Sequence, residues 1–512
     1  GARRAAARCR SGPGGEPAMN MDRQIRRLGL ALAACFTVLA AQLGYIQLIA
    51  ADRLNSRPDN TRQQQRNFNR PRGQIVAADG TVLAFSVENS SGFKYSRVYP
   101  ETDLFGPITG FYSFTLGASG VERTYDEDLA GAIPELDLAN LSDLFVDREN
   151  TGNVHLTLHP EVQQAARDAL GEREGSVVAL DPRTGAIDAM WSFPTFDPNP
   201  LSTNDAAATS LKEQLDADPE NPLLFRAYRE IFFPGSTFKV VTASTAVETG
   251  QVTVDNPDYP PTSSFDIDFT ERDLRNFGGG TCGGTLYDLL RVSCNTGFAQ
   301  MGTDLGPSAA VAGAEAYGFN DRPPIDLPAP AASVFPTEFP DDQGNGPLAR
   351  ASIGQGDVSS TPLQMALVTG AIANGGAVMT PHVMDRVTDD EGDVVKRFDV
   401  EEWRRATSPE TAGVVRRGML DVVTGPRGTA RNLAIDGVEV GGKTGTAQLG
   451  TDPPRSHAWI IGFAGPPGQA AEVAVAVIVE GQPGASEQTG GTVAAPIARA
   501  VIEAVLRVRG GG

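Results

Sequence analysis

Pro234-Gly235-Ser236-Thr237-Phe238-Lys239 places a serine and a lysine three residues apart, after a Pro-Gly break and before the largely apolar run Val240 to Val247. If Ser236 opens a helix, Lys239 stands one turn along the same face and its amine can reach the hydroxyl. The positive end of such a helix favours an alkoxide or oxyanion. A free serine is a poor nucleophile without an adjacent base. Lysine can be that base because it loses its proton when buried, whereas arginine does not. The chain uses lysine sparingly, five times against thirty-eight arginines. A capping serine beside a solvated helical lysine would account for this stretch alone.

It would not account for two later motifs. Ser293-Cys294-Asn295 lies further along, and Gly442-Lys443-Thr444-Gly445-Thr446 follows that. Each piece alone is weak. Ser91-Gly92-Phe93-Lys94 also fits Ser-x-x-Lys, but it follows Asn89-Ser90, a turn-type cluster, and Gly92 disfavours a helix. Ser202-Thr203-Asn204 also fits Ser-x-Asn, but it precedes Ser236 and breaks the order. The ordered set is specific, and its chemistry is acyl transfer with a serine nucleophile. Lys443 supplies a cation that, with desolvation, lowers the pKa of Lys239.

On these residues the chain resembles the class B penicillin-binding proteins, membrane-anchored D,D-transpeptidases that cross-link peptidoglycan, and most nearly their actinobacterial penicillin-binding protein A branch. The resemblance extends to 175–187, two strands around a Pro-Arg-Thr-Gly turn, and to 193–199. It also takes in Ile353-Gly354-Gln355-Gly356, 361–366 and 457–463. Upstream, Arg72-Gly73-Gln74-Ile75, the Asp79-Gly80 turn and Gly120-Val121-Glu122-Arg123 resemble the family's non-catalytic module. The resemblance implies an α/β (α+β) transpeptidase domain: a five-stranded antiparallel sheet flanked by helices, plus an all-α lobe, with the site between. It implies Ser236 as nucleophile and Lys239 as base. Ser293 and Asn295 would complete the proton relay and bind peptide. Lys443, Thr444 and Thr446, around Gly445, would hold the substrate carboxylate on an edge strand, and the N–H groups of Ser236 and Thr446 would form the oxyanion hole. It implies D-Ala-D-Ala stem peptides as substrate, inhibition by β-lactams, and a polytopic glycan polymerase as partner. The other readings are a D,D-carboxypeptidase, which passes the acyl group to water, and a silent scaffold or β-lactam sensor. The motifs do not separate amine from water as acceptor.

Charge divides the chain. Seven arginines before residue 28 face only Glu16 and Asp22, a net of +5, so the remainder carries −25 of the total −20. Leu28 to Ala51 has no charged residue and at about 1.5 Å per residue spans a bilayer with some tilt. The basic flank predicts a cytoplasmic N-terminus and an extracytoplasmic bulk at the cell membrane. Leu32-Ala33-Ala34-Cys35 fits a lipoprotein box, but too short an apolar stretch precedes it, and cleavage would leave an embedded end. No small-residue cleavage site follows the run. The chain begins with Gly1, and Met19 or Met21 stands just before the anchor, so 1–18 reads as sequence upstream of the true start or as a disordered arm.

The expected organisation is a basic cytoplasmic arm at 1–27, a transmembrane helix at 28–51, a β-rich dimerisation or pedestal module at 52–152 and the transpeptidase domain at 153–509. A helix from Glu161 to Leu170 opens the last, one from Pro496 to Val508 closes it, and the acidic stretch 205–222 reads as a mobile insertion. Cys282 and Cys294 lie outside the membrane, either as two free thiols or bridged. A bridge requires the glycine-rich loop 278–284 to fold back along a short helix that ends near Ser293. Neither metal nor cofactor is expected. His155 and His159 alternate like strand residues and run into Pro160, and 278–283 lacks the buried strand a dinucleotide fingerprint needs. The acidic balance argues against nucleic acid.

Overall fold

The computed structural model describes residues 21–46, 62–90, 92–131, 151–269, 273–452, 454–482 and 489–510. It divides into two compact units, 1–66 and 67–512.

The first unit is dominated by a helix over Met21–Gly44. Its apolar side chains, Leu28, Leu30, Phe36 and Leu39 among them, are exposed. The stretch Arg23–Gly44, with a mean hydropathy of 1.6, is long and apolar enough to cross a membrane. The helix starts seven residues before the expected anchor because Arg23, Arg26 and Arg27 continue its first turns; residues 47–51 of that anchor lie outside the described residues.

In the second unit a five-stranded antiparallel sheet contains β1 (Gly175–Leu180), β2 (Ile187–Phe193), β3 (Glu439–Gln448), β4 (Ser456–Gly465) and β5 (Val473–Val479), in the order β3-β4-β5-β1-β2. β1, β4 and β5 are buried along their whole length, which explains their near-continuous apolar runs rather than an alternating pattern. The helices that position the site are α1 (Pro160–Leu170), α2 (Lys239–Glu248), α3 (Leu286–Val292), α4 (Asn295–Ala316), α5 (Pro362–Ala373), α6 (Pro409–Thr424) and α7 (Ala495–Gly510). α5 packs on β5, β4 and β1, while α1 and α7 pair with each other over the sheet. α5 is buried on nearly every side and apolar except for Gln364 and Thr369, as suits a helix enclosed by protein, and it is capped by Thr361, whose hydroxyl accepts from Gln364 N. α2, α3, α4 and α6 pack together as the all-α lobe.

The acidic stretch expected to be mobile is instead a helix, Ala206–Ala217, capped by Asp205, which accepts from Ala208 N at 3.0 Å. Its Leu211 and Leu215 join Phe111, Phe196 and Leu201 in a small separate core. Charge composition hid this apolar face.

The upstream module shares a sheet with the transpeptidase region. Strands Ile75–Val76, Val82–Glu88 and Tyr95–Val98 continue through Asn153–Leu156 to Met384–Thr388 and Val394–Arg397. The sheet therefore runs across position 152. At the module's centre Glu122, fully buried, accepts from Arg72 Nε and Arg97 Nε, each at 2.6 Å, and from Tyr99 Oη at 3.3 Å. Arg72 also reaches Asp126 Oδ1 at 2.8 Å. Burial pushes the Glu122 carboxyl upward, but Arg97 and Arg72 outweigh it and hold the carboxyl below its ordinary 4.5.

Glu122→Gln leaves two buried guanidiniums without their shared counter-charge and is expected to destabilise the module by about 3–5 kcal/mol in denaturant titration. Because the folded carboxyl is depressed, its contribution is present above pH 4.5 and is lost as pH falls through the folded value. The variant should therefore show a flatter acid limb of stability than the parent chain.

Candidate active site

Ser236 sits in a 3₁₀ turn, Gly235–Phe238, that runs directly into α2 at Lys239. The serine thus belongs to a 3₁₀ turn rather than to the α-helix expected from sequence, while Lys239 is the first residue of α2 and its amine donates to Ser293 and Asn295. Three contacts fix the turn. Gly235, at φ 53°, donates to Gly354 O at 2.9 Å. Trp459 Nε1 on β4 donates to Phe233 O at 3.0 Å. A Cβ on Gly354 would stand 2.2 Å from Gly235 O, so glycine is required there. The turn also packs on the edge strand β3, which carries Lys443, Thr444, Gly445 and Thr446.

The second motif arrives from the lobe. α3 begins with a capping box between Thr285 and Asp288 and ends at Ser293, whose left-handed backbone (φ 58°) turns the chain sharply into α4 at Asn295. Cys294 bridges to Cys282, with Cα atoms 5.8 Å apart. The loop reverses as a bridge requires: after a 3₁₀ turn at Phe277–Gly279, Cys282–Gly284 pairs with Tyr259–Thr262. Asn276 Oδ1 accepts from Thr296 N at 3.0 Å and Asn295 Nδ2 donates to Arg275 O at 2.9 Å, tying this loop to the start of α4.

The three motifs meet around two buried amines. Lys239 Nζ donates to Asn295 Oδ1 at 2.6 Å and Ser293 O at 2.8 Å, with Ser293 Oγ at 3.4 Å. Lys443 Nζ donates to Ser293 Oγ at 2.7 Å and Thr444 O at 2.8 Å. Ser293 Oγ thus stands between the two lysines. Both lysines are fully buried. Burial first, and the Lys443 charge second, hold Lys239 well below the ordinary lysine value; burial brings Lys443 down to about 7. Ser236, Ser293, Asn295, Thr444 and Thr446 line one open cleft of about 980 Å³. The arrangement supplies a serine, a lysine able to be neutral, and a hydroxyl linking it to a second lysine, the parts of a nucleophile with a proton path.

Sequence reading missed Thr429, whose Oγ1 accepts from Thr444 Oγ1 at 2.8 Å, and the structural use of Trp459 and Gly354. Trp459 and Gly354 act from distant segments and Thr429 from 15 residues before its partner, and no local pattern marks any of them. His155 and His159 serve elsewhere: the first lies 3.2 Å from Thr388 Oγ1 on a strand, the second precedes α1.

Two family models match. "Penicillin binding protein transpeptidase domain" covers residues 175–503 and "Penicillin binding protein A dimerisation domain" covers 72–154. Peptidoglycan D,D-transpeptidase PbpA of Mycolicibacterium smegmatis is 40% identical over 502 residues, 95% of this chain and 99% of the relative. PbpA of Mycobacterium tuberculosis is 37% identical over 501 residues, again 95% and 99%. Penicillin-binding protein A of M. tuberculosis, solved as a ceftriaxone acyl-enzyme complex, superposes with a TM-score of 0.78 at 36% identity, covering 86% of this chain and all of that one. The D,D-transpeptidase domain from Eggerthella lenta gives 0.73 at 33% identity, covering 87% of this chain and all of that one.

Lys443→Met removes the cation beside Lys239, so Lys239 keeps its proton to higher pH. The acid limb of the pH profile for acylation by an activated ester is expected to move upward in pH, beyond any fall in maximal rate.

Proposed function

The chain belongs to the class B penicillin-binding proteins and is a serine-type peptidoglycan D,D-transpeptidase inhibited by β-lactams, and we propose that Ser236, Lys239, Ser293, Asn295 and Lys443 carry its chemistry. The observation that carries these roles is the pair of short bonds made by Lys239. A neutral amine has two N–H groups and one lone pair. Ser293 O and Asn295 Oδ1 take the two N–H groups, leaving the lone pair for the hydroxyl of Ser236. Ser236 Oγ attacks the carbonyl carbon of the penultimate D-alanine as its proton passes to Lys239. Collapse of the tetrahedral species breaks the peptide bond, and the departing D-alanine amine takes a proton relayed through Ser293 Oγ, which Lys443 holds. An amine of a neighbouring stem then attacks the ester carbon: the C–N bond forms, the C–Oγ bond to Ser236 breaks, and the proton shed by the amine passes by way of Lys239 to Ser236 Oγ. Thr444 and Thr446 bind the terminal carboxylate around Gly445, and the N–H groups of Ser236 and Thr446 stabilise the oxyanion, a contact worth about 2.7–4 kcal/mol per donor.

The helix Met21–Gly44 fits a single-pass membrane anchor. Its basic end, in the arm 1–27, would lie in the cytoplasm and the transpeptidase domain, 153–509, outside. The module at 52–152 and the anchor are the surfaces assigned to a polytopic glycan polymerase.

A fluorescent penicillin is expected to label the parent chain covalently and to leave Ser236→Ala unlabelled; equal labelling of the variant would remove Ser236 from the role. Mass spectrometry of products from a stem peptide and a D-amino acid acceptor is expected to show the exchanged peptide. Hydrolysis alone would make the enzyme a carboxypeptidase.

A further inference from the structure

The cleft contains a fixed charge that the reaction above does not use. Arg427 lines it with Ser236, Thr444 and Thr446. Its backbone lies in the left-handed region at φ 61°, a conformation that glycine adopts freely and a long side chain only against a steric cost. The loop holding it there is pinned on both sides. Gly425 N donates to Asp421 O at 2.8 Å, Gly428 N to Gly425 O at 3.1 Å, and Ala430 N to Val422 O at 3.2 Å. A Cβ on Gly428 would stand 2.3 Å from Val422 O, so the loop closes tightly on the end of α6. Two residues past Arg427, Thr429 accepts the hydrogen bond from Thr444 already described. The strained arginine is therefore tethered to the strand that binds the substrate's end.

Among the described residues the Arg427 side chain has no hydrogen bond or ion pair, although the chain carries a net −20. Arg291, also at the cleft, is already paired, with Asp421 at 2.8 Å and with Asp288. Among the described residues the side chains of Arg275 and Arg350 also line the cleft without a hydrogen bond or ion pair, but neither has the left-handed backbone or the link to Thr444. The lysines of the site spend their donors on Ser293, Asn295 and Thr444 O, and Lys443, brought down to about 7, is not a permanent cation. An anion entering this end of the cleft finds its lasting positive charge in a guanidinium, which stays protonated at any working pH.

We propose that Arg427 is a substrate-binding residue that pairs with the terminal carboxylate of the donor peptide and makes the enzyme select donors that end in a free carboxylate. This rests on Ser236 as the nucleophile. Thr446, and Thr444 once its hydroxyl turns from Thr429, would orient the carboxylate by hydrogen bonds while Arg427 supplies its charge.

The test uses the full chain in detergent and two donors, a D-alanyl thioglycolate thioester and its uncharged thioglycolamide counterpart. With either, Ser236 Oγ forms an ester to the D-alanyl carbonyl carbon and the C–S bond breaks. The leaving thiolate is balanced by the proton that left Ser236 for Lys239. Arg427→Gly suits the left-handed backbone and so removes the guanidinium without stressing the loop. The second-order rate of acyl-enzyme formation with the thioglycolate donor is expected to fall roughly ten- to a hundredfold, with the thioglycolamide rate within about twofold of the parent's. Arg427→Lys should restore part of the loss, and raised salt should narrow the gap between donors in the parent chain. Equal loss on both donors, or loss on neither, would overturn the proposal. If the parent chain forms no acyl-enzyme with either donor, the reading of Ser236 fails and this inference falls with it.

Discussion

An amine taken out of water must find acceptors or give up its proton, and this fold buries two such amines around a single serine hydroxyl. Lys239 and Lys443 come from opposite sides of the site, one from the first turn of α2 and the other from β3, and both end on Ser293. Neither arrangement works alone. Without Ser293 and Asn295 the first lysine would lack acceptors, and without the second lysine its pKa would rise. The all-α lobe exists in this sense to deliver the corner between α3 and α4, and the sheet to deliver an edge strand against which the serine turn can dock.

The three motifs that meet at the cleft were legible because each is local. Ser236 and Lys239 are three residues apart, Ser293 and Asn295 two, and 443–446 is one stretch of strand. The five-stranded antiparallel sheet followed from the resemblance, whereas the order of its strands did not, and the long apolar runs of β1 and β5 agree with burial on both faces. What stayed hidden was non-local or depended on backbone shape. Nothing in 234–239 distinguishes a 3₁₀ turn from a helix, since the turn is imposed by Gly354 and Trp459 from distant segments. Nothing near 429 announces a hydrogen bond to Thr444. At 205–222, counting charges obscured two leucines one turn apart, and those leucines were enough to seat a helix on Phe196 and Leu201.

The module follows the same logic of shared counter-charge. Arg72 and Glu122 stand in two separate segments of the sequence; in the fold they are one buried cluster with Arg97. A second seam reaches further. Asp326 accepts from Tyr125 Oη at 2.6 Å and from Val383 N and Met384 N at 2.7 and 2.9 Å, so one carboxylate ties the module's helical segment to a strand of the transpeptidase region.

The strand order of the main sheet also bears on the history of each molecule. β1 and β2 form a hairpin early in the chain, yet the strand that must lie beside β1 is β5, with Leu180 opposite Ala474 and Gly175 opposite Val479. A chain emerging from its N-terminus makes the serine turn long before β3, β4 and β5 exist to complete the sheet. Until then the outer edge of β1 is open, and pairing over such a separation carries a heavy loop-closure entropy. Ser236, the proposed nucleophile, is thus synthesised early and meets its edge strand late, once β3 has been made and the sheet can close. An incomplete copy would carry the residue without the reactivity, and would acylate neither on its own substrate nor on an inhibitor.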